Sequence, residues 1–287
     1  MTSGPTLGAA YRDASRRLAD AGIGSARLDA RIMVSFALGG PPTLALTEPD
    51  RHLSGPESAR LADLLKRRER REPLAHIVEA KEFWSLPFRV GPDALVPRPD
   101  SETLIEAVLK YFPDREKSYA ILDFGTGSGC LLLALLSEYG ASRGTGVDIS
   151  DKALSMAKEN AESLSLADRA SFVRSDWGDE NVEEHYDIIV SNPPYIPDAH
   201  IEGLAPEVAA FEPRLALSGG ADGLVCYRAL APRLSSRLAK GGLAFLEIGE
   251  GMADDVSSLF RKHGLKTLES IEDLSGIERC LVLEREE

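Results

Sequence analysis

The chain has only three cysteines in 287 residues, Cys130, Cys226 and Cys280. They are far apart, odd in number and in no ligand spacing, which argues for a reducing compartment and against a structural zinc site. No apolar run approaches the roughly 20 residues of a membrane span. The longest, residues 130–136, is far too short. No signal-peptide pattern opens the chain, so a cytoplasmic location without a membrane partner is expected. Positive charge is also short: 33 Lys and Arg stand against 46 Asp and Glu, a net charge of −13. Residues 1–82 hold 13 basic and 11 acidic side chains, leaving 20 and 35 for the rest. An acidic C-terminal part argues against tight, non-specific duplex binding, which depends on neutralising phosphates.

What is present describes a folded protein, 43% hydrophobic and 28% charged, with length enough for two domains. Residues 6–71 read as helical. Leu7, Tyr11, Ala14, Leu18 and Ala21 recur at helical spacing until Gly22 and Gly24. A second run over residues 26–38 stops at Gly39-Gly40-Pro41-Pro42, and Ser54-Gly55-Pro56-Glu57 starts a third with Leu61, Leu64 and Leu65 on one face. The spacing predicts a bundle of four or five short helices with no catalytic residues, better suited to recognition than to chemistry. Its last helix ends in Lys66-Arg67-Arg68-Glu69-Arg70-Arg71. Cations are favourable at a helix C-terminus, so this cluster reads either as a solvated helix end or as a docking surface for a macromolecule. His76 reads as a packed or exposed structural residue.

Residues 83–92 mix aromatics with turn residues, as in a β-hairpin that packs on the domain after it. Val96-Pro97-Arg98-Pro99-Asp100-Ser101-Glu102 then opens a helix that Asp100 or Ser101 can cap. Next comes a buried strand, residues 120–124, running into Gly125-Thr126-Gly127-Ser128-Gly129-Cys130. Such turns let a ligand approach the backbone closely. The dinucleotide pattern would need glycine at Cys130, and a P-loop would need a Lys-Ser/Thr ending; neither is present. Asp123 instead puts a carboxylate just before the turn, which suits the cationic groups of S-adenosylmethionine better than a diphosphate. Asp148 ends the next strand, where a carboxylate can accept from both ribose hydroxyls. A third strand leads into Ser175-Asp176-Trp177. The Trp177 face suits adenine or simply the core, and Asp176 can accept from an exocyclic amine.

The apolar strand at residues 186–191 runs into Asn192-Pro193-Pro194-Tyr195. Proline cannot continue a central strand, and the residue before it is held extended. Asn192 is thus fixed at a strand's carboxyl edge, where open α/β sheets bind ligands. A side-chain amide and carbonyls without a partner strand suit a planar, N–H-bearing group. Residues 211–217 and 219–223 are expected to form a loop over the site. A helix over residues 224–238, a fifth strand at 243–248, a helix near 253–263 and an antiparallel edge pair at 265–271 and 279–283 are expected to follow.

These residues resemble the release-factor glutamine methyltransferases (the PrmC/HemK family) over nearly the whole chain. The match rests on Glu82-Phe83-Trp84-Ser85-Leu86-Pro87, residues 96–102, residues 123–127, Asp148, residues 175–177, Asn192-Pro193-Pro194-Tyr195-Ile196 and Phe211-Glu212-Pro213. The resemblance implies an α/β, Rossmann-like, seven-stranded S-adenosylmethionine-dependent methyltransferase sheet. A helical substrate-recognition domain is expected over residues 1–80, a β-hairpin linker over 81–96 and the methyltransferase domain over 97–287. The implied activity is N5-methylation of the glutamine in the GGQ motif of class I peptide-chain release factors, with S-adenosyl-L-homocysteine as product and no metal. Asp123, Phe124, Gly125, Thr126, Gly127, Asp148, Asp176, Trp177 and Asn192 are expected to contact the cofactor. Asn192, Pro193, Pro194 and Tyr195 are expected to hold the substrate amide, with Asn192, Pro193 and Tyr195 acting in catalysis. Two positions depart from the family pattern. Glu79 stands where glycine is expected, and residues 247–252 lack an expected glutamine. An adenine-N6 DNA or RNA methyltransferase is the alternative, because it grips an exocyclic amine with a similar turn; the acidic catalytic half and the lack of a basic target-recognition domain weigh against direct nucleic-acid binding. No feature asks for a dimer, and a monomer is expected.

Overall fold

The computed structural model describes residues 4–41, 43–176 and 185–286. The chain divides into two compact units, Met1–Glu79 with Ala205–Phe211, and Ala80–Leu204 with Glu212–Glu287.

The first unit contains α1 (Leu7–Asp20), α2 (Ala26–Leu38), α3 (Leu44–Thr47), α4 (Gly55–Glu69) and α5 (Leu74–Val78). Local chemistry sets their ends. The Thr6 hydroxyl accepts from the Ala9 N–H at the start of α1, and Ser54 and Glu57 form a reciprocal capping box at α4, satisfying donors that a helix start leaves free. α2 stops at Gly39, whose φ of 67° is left-handed. Leu7, Leu18, Met33, Val34, Leu65 and Ile77 are among the residues of a separate apolar core. The basic run at the end of α4 is solvated at Lys66 and Arg70, but its other members are paired. Arg68 is buried and donates to Asp29 at 2.7 Å and to Glu207 at 3.0 Å. Arg71 donates to Glu207 at 2.9 Å and Arg67 to Glu72 at 2.9 Å. Arg68 and Arg71, three residues apart, lie on one side, where both meet Glu207.

The second unit opens with a hairpin, β1 (Ala80–Phe83) and β2 (Leu86–Arg89). Trp84 and Ser85 form its two-residue turn with φ of 52° and 57°. That conformation normally selects Asn-Gly. Here it is held from outside: Glu102 accepts the Trp84 backbone N–H at 2.8 Å and Glu138 accepts its indole N–H at 2.6 Å. α6 (Glu102–Tyr111), β3 (Ala120–Phe124), α7 (Cys130–Glu138), β4 (Arg143–Asp148), α8 (Asp151–Ser163), β5 (Ala170–Arg174) and β6 (Tyr186–Ser191) follow. After α9 (Asp198–Ile201), the chain supplies α10 (Pro206–Phe211) to the first unit. α11 (Val225–Arg237), β7 (Leu238–Glu247), α12 (Ala253–Arg261), β8 (Leu265–Glu272) and β9 (Glu278–Arg285) complete it.

Seven strands form one sheet in the order β5-β4-β3-β6-β7-β9-β8. The first five are parallel, and β9 and β8 add the expected antiparallel pair. α7 is buried on all sides from Leu131 to Leu136, as a helix that is apolar all round must be. Strand order reverses between β3 and β6, and a doubly wound sheet opens a crevice beyond the strand ends at such a reversal. Ser101 departs from expectation: it stands at the N-cap of α6 yet makes no capping hydrogen bond. Among the described residues, no helix is long and apolar enough to cross a membrane.

Candidate active site

The turn after β3 is built from left-handed backbone. Gly125, Gly127 and Gly129 have φ of 72°, 54° and 81°, a region open to glycine at no steric cost. The turn is tied to β4: Gly125 and Thr126 donate N–H groups to the Val147 carbonyl, and Gly127 donates to Asp148 Oδ2 at 2.9 Å. Asp148 Oδ1 accepts from the Ser150 N–H. A carboxylate oxygen accepts more than once, so both oxygens of Asp148 keep capacity for ligand hydroxyls.

A cavity of about 410 Å³ lies over these strand ends. Of the residues anticipated as the site, Gly125, Thr126, Gly127, Asp148, Asp176, Asn192 and Pro194 are in its wall. Asp123, Phe124, Pro193 and Tyr195 are not. The Phe124 ring belongs to the core, and its carbonyl accepts from Ser191 Oγ at 2.7 Å, which ties β3 to β6. Pro193 is buried. Asp123 is 1% exposed behind Thr126, whose hydroxyl donates to its Oδ2 at 2.6 Å. Its Oδ1 has only a weak backbone contact from Leu132, and burial pushes its pKa up to about 7. Trp177 lies outside the described residues.

The tetrapeptide is positioned from three directions. Asn192 Nδ2 donates to Ser101 Oγ at 3.1 Å, and the Ser101 hydroxyl donates to Glu247. The Tyr195 hydroxyl donates to the other oxygen of Glu247 at 3.1 Å. From behind, the loop over residues 219–223 packs on the turn so closely that a Cβ on Gly223 would lie 2.5 Å from the Tyr195 carbonyl oxygen. Burial drives the Tyr195 phenol well above its ordinary pKa. Cys130 and Cys226 both reach the wall, but burial lifts them to about 12 and about 11, so neither is a thiolate nucleophile near neutrality. Arg98, in the same wall, is paired at 2.5 Å with the buried Glu212, which also accepts the Val96 N–H. This pair joins residues 96–98 to the segment that follows α10, an association the sequence motifs did not disclose.

The donor set fits S-adenosylmethionine. The wall carries the carboxylates of Asp148 and Asp176 and that of Asp93, which Lys152 pairs at 3.0 Å, against the guanidinium of Arg98, itself paired with Glu212. Behind it sits the buried carboxyl of Asp123, so a cation is favoured there and a diphosphate is not.

Comparison with known proteins agrees with this reading. Residues 9–78 match the family model described as the PrmC N-terminal domain, and residues 100–225 that of the methyltransferase small domain. The release factor glutamine methyltransferase of Caulobacter vibrioides is 44% identical over 277 residues, 96% of each chain. That of Rhodospirillum rubrum is 45% identical over 269 residues, 94% of this chain and 82% of the relative. Among solved structures, a methyltransferase from Pyrococcus furiosus matches with a TM-score of 0.53 at 21% identity, over 76% of this chain and 96% of that one. The hMettl16 catalytic domain, solved with an RNA hairpin, matches at 0.56 and 16% identity, over 83% and 85%. At such identities the likeness concerns the fold alone. The sheet order and the acid-lined cavity at its switch point define the S-adenosylmethionine-dependent methyltransferase class. Within that class, near-full-length identity places the protein more narrowly: the chain belongs to the release factor glutamine methyltransferase family.

Proposed function

We propose that this protein methylates N5 of the glutamine in the GGQ motif of class I peptide-chain release factors, in support of translation termination. The observation that carries the reading is the side-chain amide of Asn192 in the cavity wall beside the glycine turn, with its nitrogen committed to Ser101. Its oxygen is thereby left to accept from a substrate N–H. In this reading Gly125, Thr126, Gly127, Asp148, Asp176 and Trp177 hold the cofactor, and Asp123 adds charge from behind. The helical domain, bounded near residue 80, recognises the release factor, and the hairpin at residues 81–96 links it to the catalytic domain.

An amide nitrogen is a weak nucleophile because its lone pair is delocalised into the carbonyl. When bound, S-adenosylmethionine supplies a methyl group on a positively charged sulfur. Asn192 Oδ1 and the Pro193 carbonyl each accept one N–H of the substrate amide, which fixes its plane and turns the nitrogen lone pair toward the cavity. Both hydrogen bonds strengthen as positive charge grows on nitrogen, so they favour the transition state over the ground state. The proton is lost after methylation, when the nitrogen is strongly acidic, and no tuned general base is required. Tyr195 packs beside the amide and is kept neutral.

The decisive test is transfer of labelled methyl to a recombinant release factor, with mass spectrometry locating it on the GGQ glutamine. Label on an adenine-containing oligonucleotide and none on the release factor would favour the nucleic-acid alternative. Replacing Asn192 with Ala should lower the rate on the order of 10²–10³-fold, by analogy with a lost transition-state hydrogen-bonding group. Near-normal glutamine methylation by this variant would remove the tetrapeptide from the mechanism.

A further inference from the structure

One buried carboxylate lies behind two of the four residues of the tetrapeptide. Glu247 is the last residue of β7, beside β6 in the sheet, and is 2% exposed. One of its oxygens accepts from Ser101, which is equally buried, and the other accepts from Tyr195 at 3.1 Å. Its backbone is held as well: Tyr227 donates to the Glu247 carbonyl at 2.8 Å, and Arg279 to the Ile248 carbonyl at 3.1 Å. Burial raises the pKa of Glu247, while the two hydroxyl hydrogen bonds and the charge of Arg279 pull it back toward the ionised form.

We propose that Glu247 is a positioning residue for the reaction inferred above: through Ser101 it sets which end of the Asn192 amide faces the substrate, and directly it anchors Tyr195. As a carboxylate, the form that its two hydroxyl donors and Arg279 favour against burial, Glu247 has no proton to give, and the single Ser101 proton points to it. The Ser101 oxygen can then only accept, and the Asn192 atom facing it must be the NH₂ group. The Asn192 oxygen is consequently turned to the cavity, as acceptance of a substrate N–H requires. The hydrogen-bond network thus fixes the orientation of the amide. A neutral glutamine at position 247 would break the logic. Its NH₂ could donate to Ser101, freeing the serine proton to point at Asn192 and favouring the reversed amide, which would set N–H against N–H. Ordinary hydrogen-bond satisfaction at a strand end predicts a loss of stability in such a variant but no preference for either amide orientation.

The test compares the wild type with Glu247→Gln, Ser101→Ala and Ser101→Thr. Methyl transfer to the release factor should fall on the order of 10–10²-fold in kcat for the first two variants, a loss of the size that small misplacement of a reacting group produces. KM for the release factor and Kd for the cofactor should stay within about threefold, because ground-state binding is left largely intact. Ser101→Thr restores the hydroxyl and should recover most of the loss seen in Ser101→Ala. An independent readout is the NMR signal of the Asn192 side-chain amide, assigned by its disappearance in Asn192→Asp. In the wild type one of its protons should be shifted and slow to exchange; in Ser101→Ala it should not. Wild-type kcat in Glu247→Gln, or an unchanged Asn192 signal in Ser101→Ala, would overturn the inference. The NMR measurement needs no substrate. A wild-type protein that fails to methylate the release factor while showing the protected amide would therefore overturn the proposed function and leave the Asn192 orientation standing.

Discussion

Asp123 has little to gain from its position unless a cation joins it. Its carboxyl is buried, one oxygen takes the Thr126 hydroxyl, the other has only a weak backbone contact from Leu132, and burial has moved its pKa from 3.8 to about 7. With the folded pKa raised, the group contributes stability that is fully present below 3.8 and is lost as pH rises through about 7. The whole shift is worth on the order of 4 kcal/mol. A cationic ligand nearby would reverse the preference and draw the proton off. Affinity for S-adenosylmethionine should therefore rise with pH up to about 7 and then level, with proton release detectable by calorimetry in buffers of different ionisation enthalpy. In Asp123→Asn the pH dependence should vanish and affinity should drop, while the ligand-free protein gains stability above neutrality. A wild-type affinity that does not change across this range would show that Asp123 does not sense the ligand's charge.

At the scale of elements, α5 ends on a residue that the family pattern would make glycine. Glu79 is its C-cap, exposed and left-handed at φ 55°, a conformation that strains any side chain with a Cβ. The turn expected from the resemblance is thus made, with the wrong residue in it. Glu79→Gly should raise unfolding free energy by about 0.5–1 kcal/mol, the strain relieved being partly offset by glycine's greater freedom when unfolded; denaturant titration measures it, and a destabilised variant would contradict the strain. Other elements were legible because local signals agreed: β6 falls on the apolar run before Asn192, α4 on its capping box, β4 ends at Asp148, and β5 ends at Arg174, two residues before Asp176. Ser101 was not. Its place before a helix matches a capping serine, and nothing local says that its hydroxyl goes instead to Glu247, 146 positions away. Glu247 was missed for the same reason, since its partners Ser101 and Tyr195 meet only when α6 and β6 pack beside β7. Phe124, next to the glycine turn, reads as a ligand contact until the alternation of β3 turns its ring into the core.

For the molecule as a whole, the chain is not two beads in sequence, because residues 205–211 leave the catalytic portion and join the first unit. Glu207 of α10 lies between Arg68 and Arg71, and Arg68 also reaches Asp29 of α2. The Arg68 and Asp29 side chains are 7% and 4% exposed. Removing one partner of a buried pair leaves the other charge without compensation, at a cost of about 3–5 kcal/mol. An exposed pair such as Lys66 with Asp63, at 63% and 75%, is worth about 0–1 kcal/mol. Arg68→Ala should therefore destabilise the first unit strongly and Lys66→Ala scarcely at all, although the two residues are neighbours in one basic run. Arg68→Lys should fall between them, because a single ammonium cannot replace a guanidinium that bonds two carboxylates from separate nitrogens. Since the units need not unfold together, the appropriate measurement is amide hydrogen exchange in α2 and α4. Equal protection in the Arg68→Ala and Lys66→Ala variants would mean that Arg68 is not the tie between α2, α4 and the returning segment. A large difference would show that a charge run which reads from sequence as a solvated helix end or a docking surface holds a distant stretch of chain to the helical unit.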